Sequence, residues 1–356
     1  MVAHLSLKNF SNDIIDWYEE NRRTLPWRET KDPYRIWLSE VILQQTRVNQ
    51  GLPYYLKFVE AFPSVVHLAN APEDVVMRLW QGLGYYSRAR NLHRCAKVVA
   101  ENHNGTFPST FEELLKLPGI GSYTAAAIAS IAFNRKVAVV DGNVFRVLAR
   151  IFGVAKDISS TEGKKYFWEL ANQLIPSDRP GDHNQAVMEF GAIHCTPVSP
   201  KCNVCLFNKR CVAFNRQMVA QLPVKEKKIN KRTRYFYYFI FRNGDNIAMK
   251  KRTGKDIWNG LYEFYLVETN AERNLTEIVK NDPILASLNW SDVGNIKHVL
   301  THQNLEIRFF ETALDKKNLT RVENAFGDVS FISMRKAENL PKPIAITRYL
   351  EKSMKD

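Results

Sequence analysis

Leu117-Pro-Gly-Ile-Gly-Ser-Tyr-Thr-Ala125 (LPGIGSYTA) is the stretch that decides how this chain folds. Pro118 ends one helix, and Gly119-Ile120-Gly121 turns sharply into an alanine-rich second helix that runs to Phe133. Ser109 and Thr110 are N-cap residues for the first helix, with Glu112 and Glu113 as their capping-box partners. Glycines at 119 and 121 let backbone N–H groups come close to an anion at the start of the second helix, and Ile120 plugs the hairpin. Such a helix-hairpin-helix grips a nucleic-acid backbone without reading its sequence.

The rest of the chain fits that partner. A net charge of +13 and a sequence pI of about 9.4 call for a polyanion, and the hairpin selects DNA over an acidic membrane. No apolar run is long enough to span a bilayer. The first residues (MVAHLSLKNFSNDIIDWYEE) carry no leader pattern, so a cytoplasmic location is expected, nucleoid-associated in a prokaryote. At 356 residues two domains are expected. Residues 1–222 have apolar positions at helical spacing in 36–48, 55–66, 73–80, 111–133, 143–152 and 164–175. The stretch 223–234 (PVKEKKINKRTR) is a basic linker, six of its twelve residues being Lys or Arg. Residues 235–356 change texture. Strand-like runs at 235–241, 247–251, 260–268 and 305–313, a hairpin signal at Asn243-Gly244 and a final helix near 346–352 predict an α+β domain with an antiparallel sheet.

Four of the five cysteines lie within residues 195–211: Cys195, Cys202, Cys205 and Cys211, in C-x6-C-x2-C-x5-C spacing. Thiolates so close in sequence call for a cation. Zinc prefers two C-x-x-C pairs or added histidines, whereas a four-thiolate iron–sulfur cluster suits one pair with two outliers; disulfides are the third possibility. The fifth, Cys95, has no such neighbours and is expected to be a buried apolar residue.

Two carboxylates have unusual settings. Glu40 lies in a helical run (YRIWLSEVILQQ, 34–45) with Ile36, Trp37, Leu43 and Gln44 three or four positions away. On so apolar a face its pKa should rise, as a general acid near neutral pH requires. Asp141 ends an apolar, strand-like run (137–140) and precedes a helix, where it can cap that helix and still present a negative charge to a cavity.

Taken together these motifs resemble the adenine DNA glycosylases of the MutY type, within the helix-hairpin-helix superfamily that includes endonuclease III. The matching segments are LPWR (25–28), DPYRIWLSEVILQQT (32–46), WQGLGYYSRARNL (80–92), LPGIGSYTA (117–125), VDGNVFRVLAR (140–150) and the cysteine spacing. The resemblance implies a mainly α glycosylase domain with a four-cysteine loop holding one 4Fe-4S cluster, and an α+β Nudix-like domain. It also implies a monomer that acts on double-stranded DNA carrying adenine opposite 8-oxo-guanine or guanine. Glu40 would protonate adenine, Asp141 would stabilise the sugar cation, and Asn143 and Tyr123 would orient them. Gln45, Tyr86 and Arg88 would enter or grip the DNA near the mispair, and Gly119 and Gly121 would hold a phosphate. Trp27, Arg28 and Glu189 would form the adenine pocket, while Lys201, Lys209 and Arg210 of the cysteine loop would meet phosphates.

Relatives that cut the strand carry a Schiff-base lysine directly after the hairpin; here the residue is Tyr123, implying base removal without lyase action. Trp258–Phe264 and Lys297–Gln303 resemble parts of the family's lesion-reading domain, whose loop ends in Phe-Ser-His; the matching residues are Leu300, Thr301 and His302. Leu300 departs in size and Thr301 keeps the hydroxyl. Residues 235–356 contain no Nudix hydrolase box. A pyrimidine- or thymine-directed glycosylase and a catalytically silent lesion sensor are the rival readings.

Overall fold

The computed structural model describes residues 7–226 and 231–353. Residues 1–6, where no leader is expected, and 227–230 of the expected linker lie outside the described residues. The chain divides into two compact units: Met1–Asn70 with Asn91–Lys227, and Ala71–Arg90 with Lys228–Asp356.

The first unit is helical. Helix Pro33–Leu43 starts where Asp32 accepts a 2.9 Å bond from the Tyr34 amide and Pro33 takes the first helical position, which needs no N–H donor. It packs on helix Ser122–Phe133, whose run of alanines permits close approach. Helix Gly142–Phe152 packs on helix Pro180–Ile193, and so does helix Leu7–Asn21. Phe10, Ile14, Val147, Phe167, Phe190 and Phe207 fill the core between them.

Two local expectations change here. The first helix of the hairpin is one turn, Phe111–Leu114, and its cap is Thr110, which accepts from the Glu113 amide at 3.3 Å; Ser109 lies outside it and accepts from Arg135 instead. The chain leaves the helix before Pro118 through tight turns at Lys116 and Leu117. The apolar run 137–140 forms no strand. Its backbone is paired by asparagine side chains: Asn172 and Asn184 accept from the amides of Ala138 and Val139, both at 3.0 Å, and Asn184 donates to the Val137 carbonyl.

The second unit is built on a mixed sheet. Among the described residues its strands are β1 (Arg232–Asn243), β2 (Asn246–Lys251), β3 (Tyr262–Glu263), β4 (Tyr265–Thr269), β5 (Ser291–Val299), β6 (Gln303–Ala313) and β7 (Ser330–Ser333). The order is β3-β2-β1-β6-β5, with β4 also paired to β1 and β7 to β2. The expected antiparallel sheet is corrected at its centre: β1 and β6 run parallel, in register from Arg232 opposite Gln303 to Arg242 opposite Ala313. A strand paired along both edges and covered on both faces reads as a continuous apolar run, and Phe236–Phe241 is buried throughout. That texture reports burial and says nothing of strand direction. β1 and β2 form the expected hairpin around Gly244-Asp245, with Gly244 at φ 57°. β1 begins at Arg232, inside the stretch expected to be linker. Helix Ile344–Ser353 closes the unit as expected.

Candidate functional site

Helix Pro33–Leu43 buries Glu40 to 8 % exposure, and the Tyr123 phenol, from the first turn of helix Ser122–Phe133, donates to its Oε2 at 2.6 Å. Burial pushes the Glu40 carboxyl up to about 7; the Tyr123 bond opposes that rise, the Asp141 charge adds to it, and the Arg28 charge opposes it. Burial, and then the charge of Glu40, hold the Tyr123 phenol well above its usual range, so it stays a donor. Four residues from four segments thus act on one another electrostatically.

Asp141 caps helix Gly142–Phe152 with Oδ1, which accepts from the Val144 amide at 2.8 Å, while Oδ2 accepts from Asn143 Nδ2 at 2.8 Å. Burial raises its pKa against the pull of those bonds. Asn143 is held in turn by Arg146, whose Nη2 donates to Asn143 Oδ1 at 2.8 Å and whose Nε donates to the Cys195 carbonyl at 2.8 Å. Gly191 is the other support: a Cβ there would lie 2.6 Å from the Asn143 Cβ.

Trp27 is buried and packs edge-on against Tyr55. Glu189, expected in the adenine pocket, is held by two arginines. Its two oxygens accept from the Arg23 amide, Arg23 Nε and Nη2, and Arg28 Nη1 and Nη2, at 2.6–3.0 Å. A carboxylate has about four acceptor sites, so these donors saturate it. Burial alone would raise its pKa; the two arginines bring it down to about 2. Glu189 therefore holds Arg23 and Arg28 in place, and a base could reach its oxygens only if an arginine let go. Arg23 was missed in the sequence because it lies just outside the LPWR match.

Gly119 has φ 74°, and a Cβ there would lie 2.5 Å from the Asn91 Cβ, so glycine is needed for conformation and for space. Gly121 has an ordinary φ and open space where a Cβ would be; it caps helix Ser122–Phe133 and leaves that N-terminus uncovered. Ile120 is buried, as a plug would be. Gln45 follows helix Pro33–Leu43 in left-handed backbone (φ 55°) with its side chain exposed.

In the segment 80–92 two expectations are corrected. Tyr86 is only 6 % exposed, its hydroxyl accepting from the Gly82 amide; the exposed ring is Tyr85, at 41 % and φ 47°. Arg88 is buried over the Trp80 and Tyr85 rings and donates to the carbonyls of Leu83 and Gly84, so it braces the turn from within. The period of the sequence cannot tell neighbouring tyrosines apart when the turn between them has left-handed residues.

Cys195, Cys202, Cys205 and Cys211 line one cavity together with Arg150, Phe190 and His194. Among the described residues no three His, Cys, Asp or Glu side chains converge as one metal ion requires. Burial pushes the Cys205 thiol up to about 11, and the neighbouring cysteines push the same way. Arg150 Nη1 donates to Cys195 Sγ at 3.6 Å. In the same loop Lys201 and Lys209 are exposed, while Arg210 is half-exposed, paired with Asp13 at 2.5 Å and lying over Phe207. Cys95 is fully buried, as expected.

In the second unit Leu300-Thr301-His302 is the tight turn joining β5 to β6, closed by a 2.8 Å bond from the Leu300 amide to the Gln303 carbonyl. His302 is exposed, Leu300 and Thr301 partly so, and the Thr301 hydroxyl pairs with that of Tyr85.

Residues 38–173 match the model of HhH-GPD superfamily base excision DNA repair proteins, and residues 237–352 match that of the NUDIX domain. The adenine DNA glycosylase of Buchnera aphidicola subsp. Baizongia pistaciae is 36 % identical over 302 residues, 84 % of either chain. The adenine DNA glycosylase of Homo sapiens is 45 % identical over 222 residues, 60 % of this chain and 41 % of that one. Among solved structures, a thermostable thymine-DNA glycosylase superposes with a TM-score of 0.53 at 33 % identity, covering 58 % of this chain and 95 % of that one. No helix among the described residues is long and apolar enough to cross a membrane.

Proposed function

From this chain's place among the adenine DNA glycosylases of the HhH-GPD superfamily, to which it belongs, we propose that it excises adenine opposite 8-oxo-guanine or guanine by acid-assisted hydrolysis. The observation that carries the reading is Glu40: buried, with a pKa near 7, bonded to Tyr123 and within the electrostatic reach of Asp141 and Arg28.

The target base must first leave the stack, at a cost of a few kcal/mol. Tyr85 and Gln45, both exposed in left-handed backbone, are the side chains suited to enter the gap. Tyr86 and Arg88 hold the turn that presents Tyr85. The N-terminus of helix Ser122–Phe133, opened by Gly119 and Gly121, receives a backbone phosphate. The adenine pocket is formed by Trp27 and Arg28, with Glu189 and Arg23 as their brace.

Adenine is a poor leaving group as an anion. Glu40, protonated near neutral pH, gives its proton to ring nitrogen 7, so the base departs neutral. Positive charge then grows on the sugar, and Asp141 stabilises it as a fixed anion, the division of labour of paired carboxylates in glycoside hydrolysis. Asn143 fixes the outward oxygen of Asp141 (2.8 Å), and Tyr123 returns Glu40 to its working geometry. Water completes the reaction. With Tyr123 in place of an amine, no Schiff base forms and the strand stays intact.

The four cysteines would hold one 4Fe-4S cluster, whose contribution is to pin the loop 195–211. The second domain opens with β1 at Arg232, and in it Leu300, Thr301 and His302 read the base opposite adenine. The protein acts as a cytoplasmic monomer.

The test is a single-turnover assay on duplexes carrying adenine opposite 8-oxo-guanine, guanine, thymine or cytosine, with Glu40→Gln as control. The variant should lose roughly a hundredfold or more. Wild-type rates in Glu40→Gln would sink the assignment, release of thymine would favour the pyrimidine reading, and tight binding without release would favour a sensor. Iron analysis of purified protein should give about four irons per chain.

A further inference from the structure

An ion network centred on the buried Arg234 is bonded to the residue that follows the Leu300–His302 turn. Arg234 donates to Asp256 at 2.8 and 2.5 Å and to Glu268 at 2.6 Å through two nitrogens. Arg252 bonds Asp256 at 2.7 Å and the buried Glu263 at 3.0 and 3.1 Å. Arg234 Nη1 also donates to Gln303 Oε1 at 3.3 Å, joined there by Arg232 Nε at 3.2 Å. Gln303 is buried, and its carbonyl closes the turn by accepting from Leu300.

Asp256 stands two residues before Trp258, which has φ 61°, a conformation costly for a tryptophan and kept only where its surroundings over-determine it. The Phe236 ring lies edge-on to Trp258 and under the Arg234 guanidinium. Asp256, Trp258, Gln303 and the turn residues Leu300, Thr301 and His302 all line one cavity.

We propose that Arg234, acting through Gln303 and Asp256, is a positioning residue for recognition of the opposing base, setting the distance between Trp258 and the Leu300–His302 turn. This rests on the reading of that turn as the lesion-reading element. Ion pairs around a buried guanidinium stabilise little once its desolvation is counted, yet its planar fork allows few alternative geometries. A recognition site loses its power with displacements of about half an ångström in its supports. Arg234 bonds both the residue rooting the turn and the residue leading into the strained tryptophan.

Gln303→Met removes the acceptor and leaves the pairs of Arg234 with Asp256 and Glu268 in place; Arg234→Lys keeps the charge and loses the fork. In the full-length protein, single-turnover adenine release is measured opposite 8-oxo-guanine and opposite guanine, with thermal melting alongside. Each variant should lose about tenfold of the 8-oxo-guanine preference, the scale of one hydrogen bond to a charged group, while the rate opposite guanine stays within about twofold. Gln303→Met should melt with the wild type, so a misfolded Arg234→Lys leaves the test intact. An unchanged preference in folded Gln303→Met, or an equal fall opposite both bases, overturns the proposal. A wild type without any preference instead removes the reading of the turn, and the proposal with it.

Discussion

Tyr123 donates a 2.6 Å hydrogen bond to Glu40 Oε2 across 83 positions of sequence, joining the first turn of helix Ser122–Phe133 to the middle of helix Pro33–Leu43. The hairpin proposed to hold DNA and the proposed proton donor therefore share a rigid support: any shift of the turn at Gly119–Gly121 reaches the carboxyl through one bond.

The activity should fall above pH 7, and fall again on the acid side where Asp141, whose pKa burial raises, takes up a proton. Glu40 must be protonated to act, and its pKa is raised to about 7. The same rise costs stability: the penalty is absent below the unfolded carboxyl value of about 4.3 and grows as pH rises through 7. Glu40→Gln should thus be inactive yet melt higher than the wild type at pH 8. A single-turnover pH profile and melts at pH 5 and pH 8 check both signs.

Tyr123→Phe should move the alkaline limb of that profile upward. The phenol bonds the charged carboxylate and holds its pKa down; without it the proton is kept longer. A bond to a charged group contributes about 1.5 kcal/mol, or roughly one pH unit. A limb that stays put or moves down would show that the phenol does not bond the ionised acid.

Asp141→Asn separates the cap from the charge. Asparagine caps as well as aspartate, so the bond to Val144 survives and the melting temperature should hardly change. Asp141→Ala should cost about 1 kcal/mol more through the lost cap. Both should lose adenine release by a hundredfold or more, the scale of a removed electrostatic stabiliser. Equal activity in Asp141→Asn and wild type would leave Asp141 as a cap alone.

Gly119→Ala and Gly121→Ala should part company. At 119 a Cβ meets Asn91 at 2.5 Å in left-handed backbone, so the loss of stability should exceed about 1 kcal/mol. At 121 the backbone is ordinary and the space open, so the fold should tolerate alanine. Melting curves decide the first, and duplex affinity at two salt concentrations reads the phosphate contact of the second.

Much of the helical unit was legible because its signals are local. Asp32-Pro33 and Asp141-Gly142 start helices through side chains two or three residues from the amides they satisfy. The apolar neighbours of Glu40 lie on its own helix, so its burial could be read from spacing. The run 137–140 misled because apolar residues fit a strand or a buried extended segment alike, and the asparagines that pair its backbone come from positions 172 and 184. The parallel pairing of β1 with β6 was hidden for a related reason: a strand buried on both faces has no alternation from which direction or partner can be inferred.

By itself, then, the order of residues determined the hairpin turn, the helix starts, the buried acid and the cysteine set, each of which depends on residues a few positions apart. Tertiary structure alone decided which tyrosine of the Tyr85-Tyr86 pair faces outward, that Glu189 is saturated by Arg23 and Arg28, and that Arg234 joins Asp256 to Gln303. Those outcomes depend on groups brought together from distant segments. Burial and hydrogen-bond saturation are properties of the assembled neighbourhood, and no window of the chain contains them.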